Sequence, residues 1–485
     1  MSIAAAPPAS SLLRQAVTTT TTQAAGNRVH LKNLEQLFRN RGAVQSGSDG
    51  AGAAPVQPVV PAGRKRSQQA PLLRLPSFLA RARGEVREEQ PNVSPRRLER
   101  VLRPAASDGP SPRGNIAASW RQLHGEHDWR GLLDPLHPDL RREIVRYGEF
   151  VDAAYGAFLA QPDAAPGDRV RLPLHDGAYR VTAPLFATSS VGLPTWLAAA
   201  APCAAQRTSL VGYVAVCDCP AEVRRMGRRD IVIALRGTCT VLEWAENVRA
   251  GLVPATDAAS AAASPDEPTP KVECGFWNLY KTAGDGSPSL SEMVMSEVRR
   301  LLNKYEGEEV SITVTGHSLG AALAVLIADE LSGRGAPAPV AVFSFGGPRV
   351  GDRAFAARVE DRGARVLRVV NAHDVVPRFP PARYADVGRE LRLDSRASPY
   401  LRPDADAACC HDLEAYIHLV DGFLGSHCPF RANAKRSILR LLENQGGNVK
   451  QLYISKAMDM RICLDGVVGA DMPSSPRALG RVEVA

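Results

Sequence analysis

No stretch of this 485-residue sequence approaches the roughly 18 consecutive apolar residues that a membrane-spanning helix needs, so any membrane contact is expected to be peripheral. Cysteine is sparse and irregular: there are nine, an odd number, and neither Cys217-Asp-Cys219 nor Cys409-Cys410 has a second pair at ligand spacing. That pattern argues against a disulfide framework and against zinc, and for buried thiols in a reducing compartment. The sequence offers no calcium loop and no phosphate cradle, so no metal and no organic cofactor is expected.

Acidic residues are absent from the first 34 positions, which are rich in Ala, Ser and Thr and include the run Thr18 to Thr22. This is the composition of an organellar transit peptide, assigned here to residues 1–60, with the plastid (chloroplast) as its first destination. The mitochondrion is the alternative, because Leu31, Leu34, Leu37 and Phe38 with Lys32, Arg39 and Arg41 pattern a short basic amphipathic helix. Residues 61–114 continue as a basic Pro/Arg-rich linker. Residues 1–114 hold 17 Lys and Arg against 7 Asp and Glu, leaving 42 against 44 in the remainder. The formal charge of +8 therefore belongs to the leader. No basic stripe interleaved with aromatics runs through the body, which sets nucleic acid aside as a partner. Oligomeric state is not legible.

Residues 115–445 carry the periodic patterns of a folded domain, and 446–485 form a C-terminal extension. Trp120 and Trp129 read as core anchors. Leu140, Ile144, Tyr147, Val151 and Tyr155 recur at helical spacing. Strand patterns at 179–183, 211–217 and Asp230 to Leu235, followed by alternating helices and strands through Asn371, predict an α/β fold with a mostly parallel sheet.

The chain's organising stretch is Val310 to Leu331, a strand pattern running into an apolar helix with Gly316-His317-Ser318-Leu319-Gly320 between them. A G-x-S-x-G at such a junction is a nucleophile elbow: the glycines let strand and helix cross closely and hold the serine exposed in a strained turn. Ser318 is the candidate nucleophile. The oxyanion hole is assigned to the backbone N–H of Leu319 and to Thr238, which follows the strand ending at Leu235.

Catalytic groups in a parallel α/β sheet lie at the carboxyl ends of strands, which nominates Asp374, just after the strand Arg365 to Asn371, as the acid. Asp386 and Asp394 are rivals in a hairpin-like stretch, Tyr384 to Leu393. The base is His411 or His418, seven residues apart and on similar helical faces, with His427 a weaker third. His411, at the start of the periodic segment, is favoured. His317 and His373 flank the other members and line the pocket. The segment Val241 to Leu252 reads either as a lid helix presenting Trp244 and Leu252 to a lipid surface or as an ordinary surface helix.

Ordered blocks along residues 117 to 445 resemble the class 3 lipases, in particular the plant plastid phospholipase A1 group of the defective-in-anther-dehiscence type. They include Trp129-Arg-Gly-Leu-Leu-Asp-Pro-Leu136, Leu235-Arg-Gly-Thr238, Gly275-Phe-Trp277, Gly316 to Leu323, Phe345-Gly-Gly-Pro-Arg-Val-Gly-Asp352 and His411-Asp-Leu-Glu414. The resemblance implies an α/β-hydrolase fold with a helical lid and a triad of Ser318, Asp374 and His411. It also implies cleavage of the sn-1 acyl ester of membrane glycerolipids, phosphatidylcholine or galactolipid, for oxylipin or jasmonate synthesis. A triacylglycerol or monoacylglycerol lipase and a non-catalytic lipase-like scaffold are the alternatives.

Overall fold

A computed structural model describes residues 114–190, 206–237, 251–256, 269–421 and 446–449, apart from single positions within those spans, together with Leu441. After a single helical turn at Trp120–Leu123, the first long helix α1 (Pro138–Ala160) starts on a proline, with the His137 side chain accepting the Asp139 N–H, and buries the predicted stripe Leu140, Ile144, Tyr147 and Val151. Strands β1 (Tyr179–Ser190), β2 (Gln206–Cys217) and β3 (Arg229–Leu235) follow as an antiparallel meander.

After a two-stranded ribbon of β4 (Leu252–Pro254) and β5 (Lys271–Glu273) come helices α2 (Cys274–Lys281) and α3 (Leu290–Lys304). The chain then alternates through β6 (Val310–His317), α4 (Leu319–Gly333), β7 (Val340–Phe345), α5 (Arg353–Asp361), β8 (Arg365–Asn371) and β9 (Arg389–Leu393). Helices α6 (Ala407–His411) and α7 (Leu413–Asp421) follow. The seven-stranded sheet has the order β1-β2-β3-β6-β7-β8-β9 and is parallel from β3 to β9.

Val310, Ile312 and Val314 of β6 join one apolar core with Leu323 and Ile327 of α4; α1 and α7 cover the opposite face, where Tyr147 meets Phe343 and Ile417. The intervening Ser311, Thr313 and Thr315 are fully buried. Asp230 accepts the Thr313 and Ser311 hydroxyls at 2.8 and 2.9 Å and those of Tyr147 and Tyr179 at 3.0 Å each. Thr315 donates instead to the Tyr147 and Phe343 carbonyls at 3.3 and 3.2 Å, so each of the three buried β6 hydroxyls finds a partner, as burial demands.

Helix α4 is buried almost all round, its two carboxylates included. Burial alone would raise the Glu330 carboxyl, but hydrogen bonds from Lys281, Tyr280, Arg334 and Ser291 outweigh it and hold the group down at about 2.

Three expectations change. Tyr384 to Leu393 is no hairpin, since β9 pairs parallel to β8 with Leu367 opposite Arg389. Leu252 is not in a lid helix; it lies in β4 opposite Glu273. The folded unit also passes residue 445, because Val449 bridges to Leu401 and the Asn448 carbonyl accepts the Arg402 N–H at 2.7 Å.

Candidate active site

Gly316 and Gly320 explain why the elbow can exist. A Cβ on Gly316 would stand 2.7 Å from the Ala321 nitrogen, and one on Gly320 would stand 2.5 Å from the Leu235 carbonyl oxygen. Both are closer than atoms pack, so β6, α4 and the end of β3 meet here only because these positions lack side chains. Ser318 between them takes φ 55° and ψ −124°, a left-handed conformation that is strained for a non-glycine residue. Its N–H is held by the Phe345 carbonyl at 2.9 Å.

The Ser318 hydroxyl lies 2.9 Å from Nε2 of His411, whose Nδ1 lies 2.7 Å from Oδ2 of Asp374. Asp374 and His411 are buried and Ser318 is partly exposed. The acid is held from several sides: Oδ1 accepts the Val376 N–H at 2.9 Å, and Oδ2 also accepts the Tyr416 hydroxyl at 2.7 Å. Tyr416 in turn accepts the Asn371 N–H at 3.1 Å, while the Asn371 side chain donates to the Cys410 carbonyl at 2.9 Å. Asn371 thus ties the end of β8 to the residue before His411. An Nδ1–H donated to Asp374 leaves Nε2 as the acceptor for the serine proton, the tautomer that general base catalysis requires.

The other candidates fall elsewhere. His418 is buried with Nε2 2.9 Å from the Ser398 hydroxyl, and burial lowers its pKa to about 4. It does not share a helix with His411, because α6 ends at His411 and Asp412 is extended. His373 pairs with Asp394 at 3.0 Å, and Asp386 with Arg349 at 2.9 Å. Thr238, Trp244 and His427 lie outside the described residues. Leu319 opens α4, so its N–H has no carbonyl one turn earlier to bond and is available to an oxyanion.

Both ring nitrogens of His317 are engaged within the protein. The residue is 6% exposed, with Nε2 2.8 Å from the His411 carbonyl and Nδ1 2.8 Å from the Tyr155 hydroxyl. Among the described residues no group of three or more His, Cys, Asp and Glu side chains could hold a metal ion. The sequence pattern does not single out Tyr155, Tyr416 and Asn371: all three sit where an apolar residue would satisfy the periodicity, and only their polar tips mark them.

Residues 232–384 match the family model Lipase (class 3). A chloroplastic phospholipase A(1) of Arabidopsis thaliana, DAD1, is 42% identical over 366 residues, covering 67% of this chain and 81% of that protein. The chain belongs to the plant phospholipase A1 family of class 3 lipases. Phospholipase A1-II 4 of Oryza sativa subsp. japonica is 37% identical over 378 residues, covering 73% of this chain and 94% of that protein. Among solved structures, a lipase from Rhizopus microsporus var. chinensis is 21% identical, with a TM-score of 0.36, covering 53% of this chain and 75% of that one. The fold of this lipase is that of an α/β-hydrolase, and its family makes it a carboxylic ester hydrolase.

Proposed function

We propose that the chain is a phospholipase A1 that hydrolyses the sn-1 ester of membrane glycerophospholipids, with Ser318 as nucleophile, His411 as base and Asp374 as acid. The observation that carries this reading is the hydrogen-bonded series Ser318, His411, Asp374 at 2.9 and 2.7 Å, in a family whose relatives are named phospholipases A1.

His411 Nε2 takes the Ser318 proton as Oγ attacks the ester carbonyl, and Asp374 stabilises the resulting imidazolium. The oxyanion is received by the Leu319 N–H and by Thr238. His411 then protonates the departing glycerol oxygen. Water, deprotonated by the same histidine, attacks the acyl-serine ester, and fatty acid leaves as Ser318 regains its proton.

Residues 114–449 form the catalytic unit in this reading, behind a transit peptide and basic linker. Plastid delivery is supported by the names of four relatives, all called chloroplastic. No described helix is long and apolar enough to cross a membrane. In this reading the protein meets the lipid surface peripherally.

The test is phosphatidylcholine with different acyl chains at its two positions. Wild-type protein should release the sn-1 acid and Ser318→Ala should release none. Release by Ser318→Ala refutes the nucleophile, and release of the sn-2 acid refutes the regiochemistry. Faster hydrolysis of triolein would favour a neutral-lipid lipase.

A further inference from the structure

Tyr155, on α1, is partly buried, and its ring faces His317 with centroids 5.9 Å apart. Its hydroxyl receives the Gly237 N–H at 2.8 Å and lies 2.8 Å from His317 Nδ1. The directions of these bonds follow from chemistry. The His411 carbonyl can only accept, so His317 Nε2 carries the proton and donates to it at 2.8 Å. Burial first, and then the neighbouring His411, lower the His317 pKa well below its ordinary value, so the ring is neutral and Nδ1 is an acceptor. The Tyr155 O–H must therefore donate to Nδ1 while its oxygen receives the Gly237 N–H.

Gly237 is the residue before Thr238, and a Cβ placed on it would stand 3.0 Å from Ser318 Cβ and meet the Tyr155 hydroxyl. Its carbonyl is fixed as well, by the buried Arg236 guanidinium at 2.7 Å. That side chain also donates to the Leu210 carbonyl at 2.7 Å and lies 3.9 Å from the centroid of the Phe158 ring. The turn after β3 is thus held at both ends of one residue.

We propose that Tyr155 and His317 are positioning residues, and that the bond series Gly237 N–H, Tyr155 O–H, His317 Nε2–H, His411 carbonyl sets the spacing between the oxyanion turn and the base. It joins segments that the sheet and helices alone leave separate: the end of β3, the elbow and the end of α6. His317 is suited to the place because it stays neutral, with its ring 4.8 Å from that of His411, when His411 takes up the serine proton. The proposal rests on Ser318 and His411 acting as nucleophile and base.

The experiment compares wild type, Tyr155→Phe, His317→Leu and His317→Gln on a soluble short-chain p-nitrophenyl ester, with each rate divided by the sites labelled by a fluorophosphonate. A misplacement on the order of 1 Å lowers turnover about 100-fold, so kcat per labelled site should fall roughly 10- to 100-fold in Tyr155→Phe and His317→Leu, with KM little changed. His317→Gln, which keeps an N–H directed at the His411 carbonyl, should recover much of that loss. Normalising to labelled sites removes any fraction that fails to fold. Turnover per site within twofold of wild type in both Tyr155→Phe and His317→Leu, or a Gln variant no better than Leu, would overturn the positioning role. Wild-type protein unlabelled at Ser318 would instead overturn the nucleophile reading on which it rests.

Discussion

Replacing Gly320 by alanine tests whether the crossing of strand and helix sets the catalytic geometry. The added methyl would stand 2.5 Å from the Leu235 carbonyl oxygen, and 2.8 Å from the Arg236 carbonyl carbon. Ordinary contact begins at 3.4 Å, so the end of β3 and the start of α4 must separate by about 0.9 Å. Neither neighbour is a side-chain tip that can swing aside; both are backbone. Overpacking of this kind destabilises by about 1–3 kcal/mol, which should lower Tm by several degrees. The larger effect should be on turnover, because the displaced backbone leads directly into Gly237 beside Ser318. A shift near 1 Å predicts about a 100-fold loss of kcat. The assay is ester hydrolysis per phosphonate-labelled site, with Gly177→Ala as the reference, since Gly177 is exposed with nothing within 4 Å of its missing Cβ. Gly320→Ala with turnover within threefold of that reference would refute the claim that backbone proximity fixes the site.

Tyr416→Phe strips one donor from Asp374 Oδ2 and leaves the buried Asn371 N–H without its acceptor, so it should destabilise by about 2 kcal/mol, read as a urea midpoint, and lower kcat more than it changes KM. His418 titrates near 6.5 unfolded and about 4 folded, so its contribution is complete above pH 6.5 and is lost as pH falls toward 4, about 3 kcal/mol in all. The difference in stability between wild type and His418→Gln should therefore shrink on acidification over that window. Asp421 runs the other way: burial first, with Glu149 adding to it and Arg141 opposing, raises its carboxyl from 3.8 to about 7. The folded state then holds a proton the unfolded chain has lost, and stability falls as pH rises from about 4 to 7. Asp421→Asn should remove that decline, stabilising the protein above pH 7 by up to about 4 kcal/mol in chemical denaturation.

The elbow, the parallel strands and Asp374 were legible because each rests on a local signal. Glycine spacing reports a close crossing, buried strands show as short apolar runs, and an acid just past a strand lies at the sheet's catalytic edge. Other features were not local. The polar positions Ser311, Thr313 and Thr315 carry the pattern of a solvated face, yet Ser311 and Thr313 serve a carboxylate contributed by β3 and Thr315 donates to the Tyr147 and Phe343 carbonyls. Leu252 fits a helical stripe, but its pairing with Glu273 involves a partner 21 residues away, which periodicity does not register.

Sequence alone determined that a serine would be presented between a strand and a helix, with an acid and a histidine following in order along the chain. It did so because these properties depend on neighbours within a few residues. The tertiary structure decided which histidine meets that serine: the break at Asp412 separates His411 from the helix carrying His418, and Asn371 anchors the carbonyl just before His411. It also turned His317 from a pocket-lining candidate into a buried link between Tyr155 and the His411 backbone. Such links join residues up to 162 positions apart, and hydrogen bonds over that separation exist only once the sheet has brought the strand ends together.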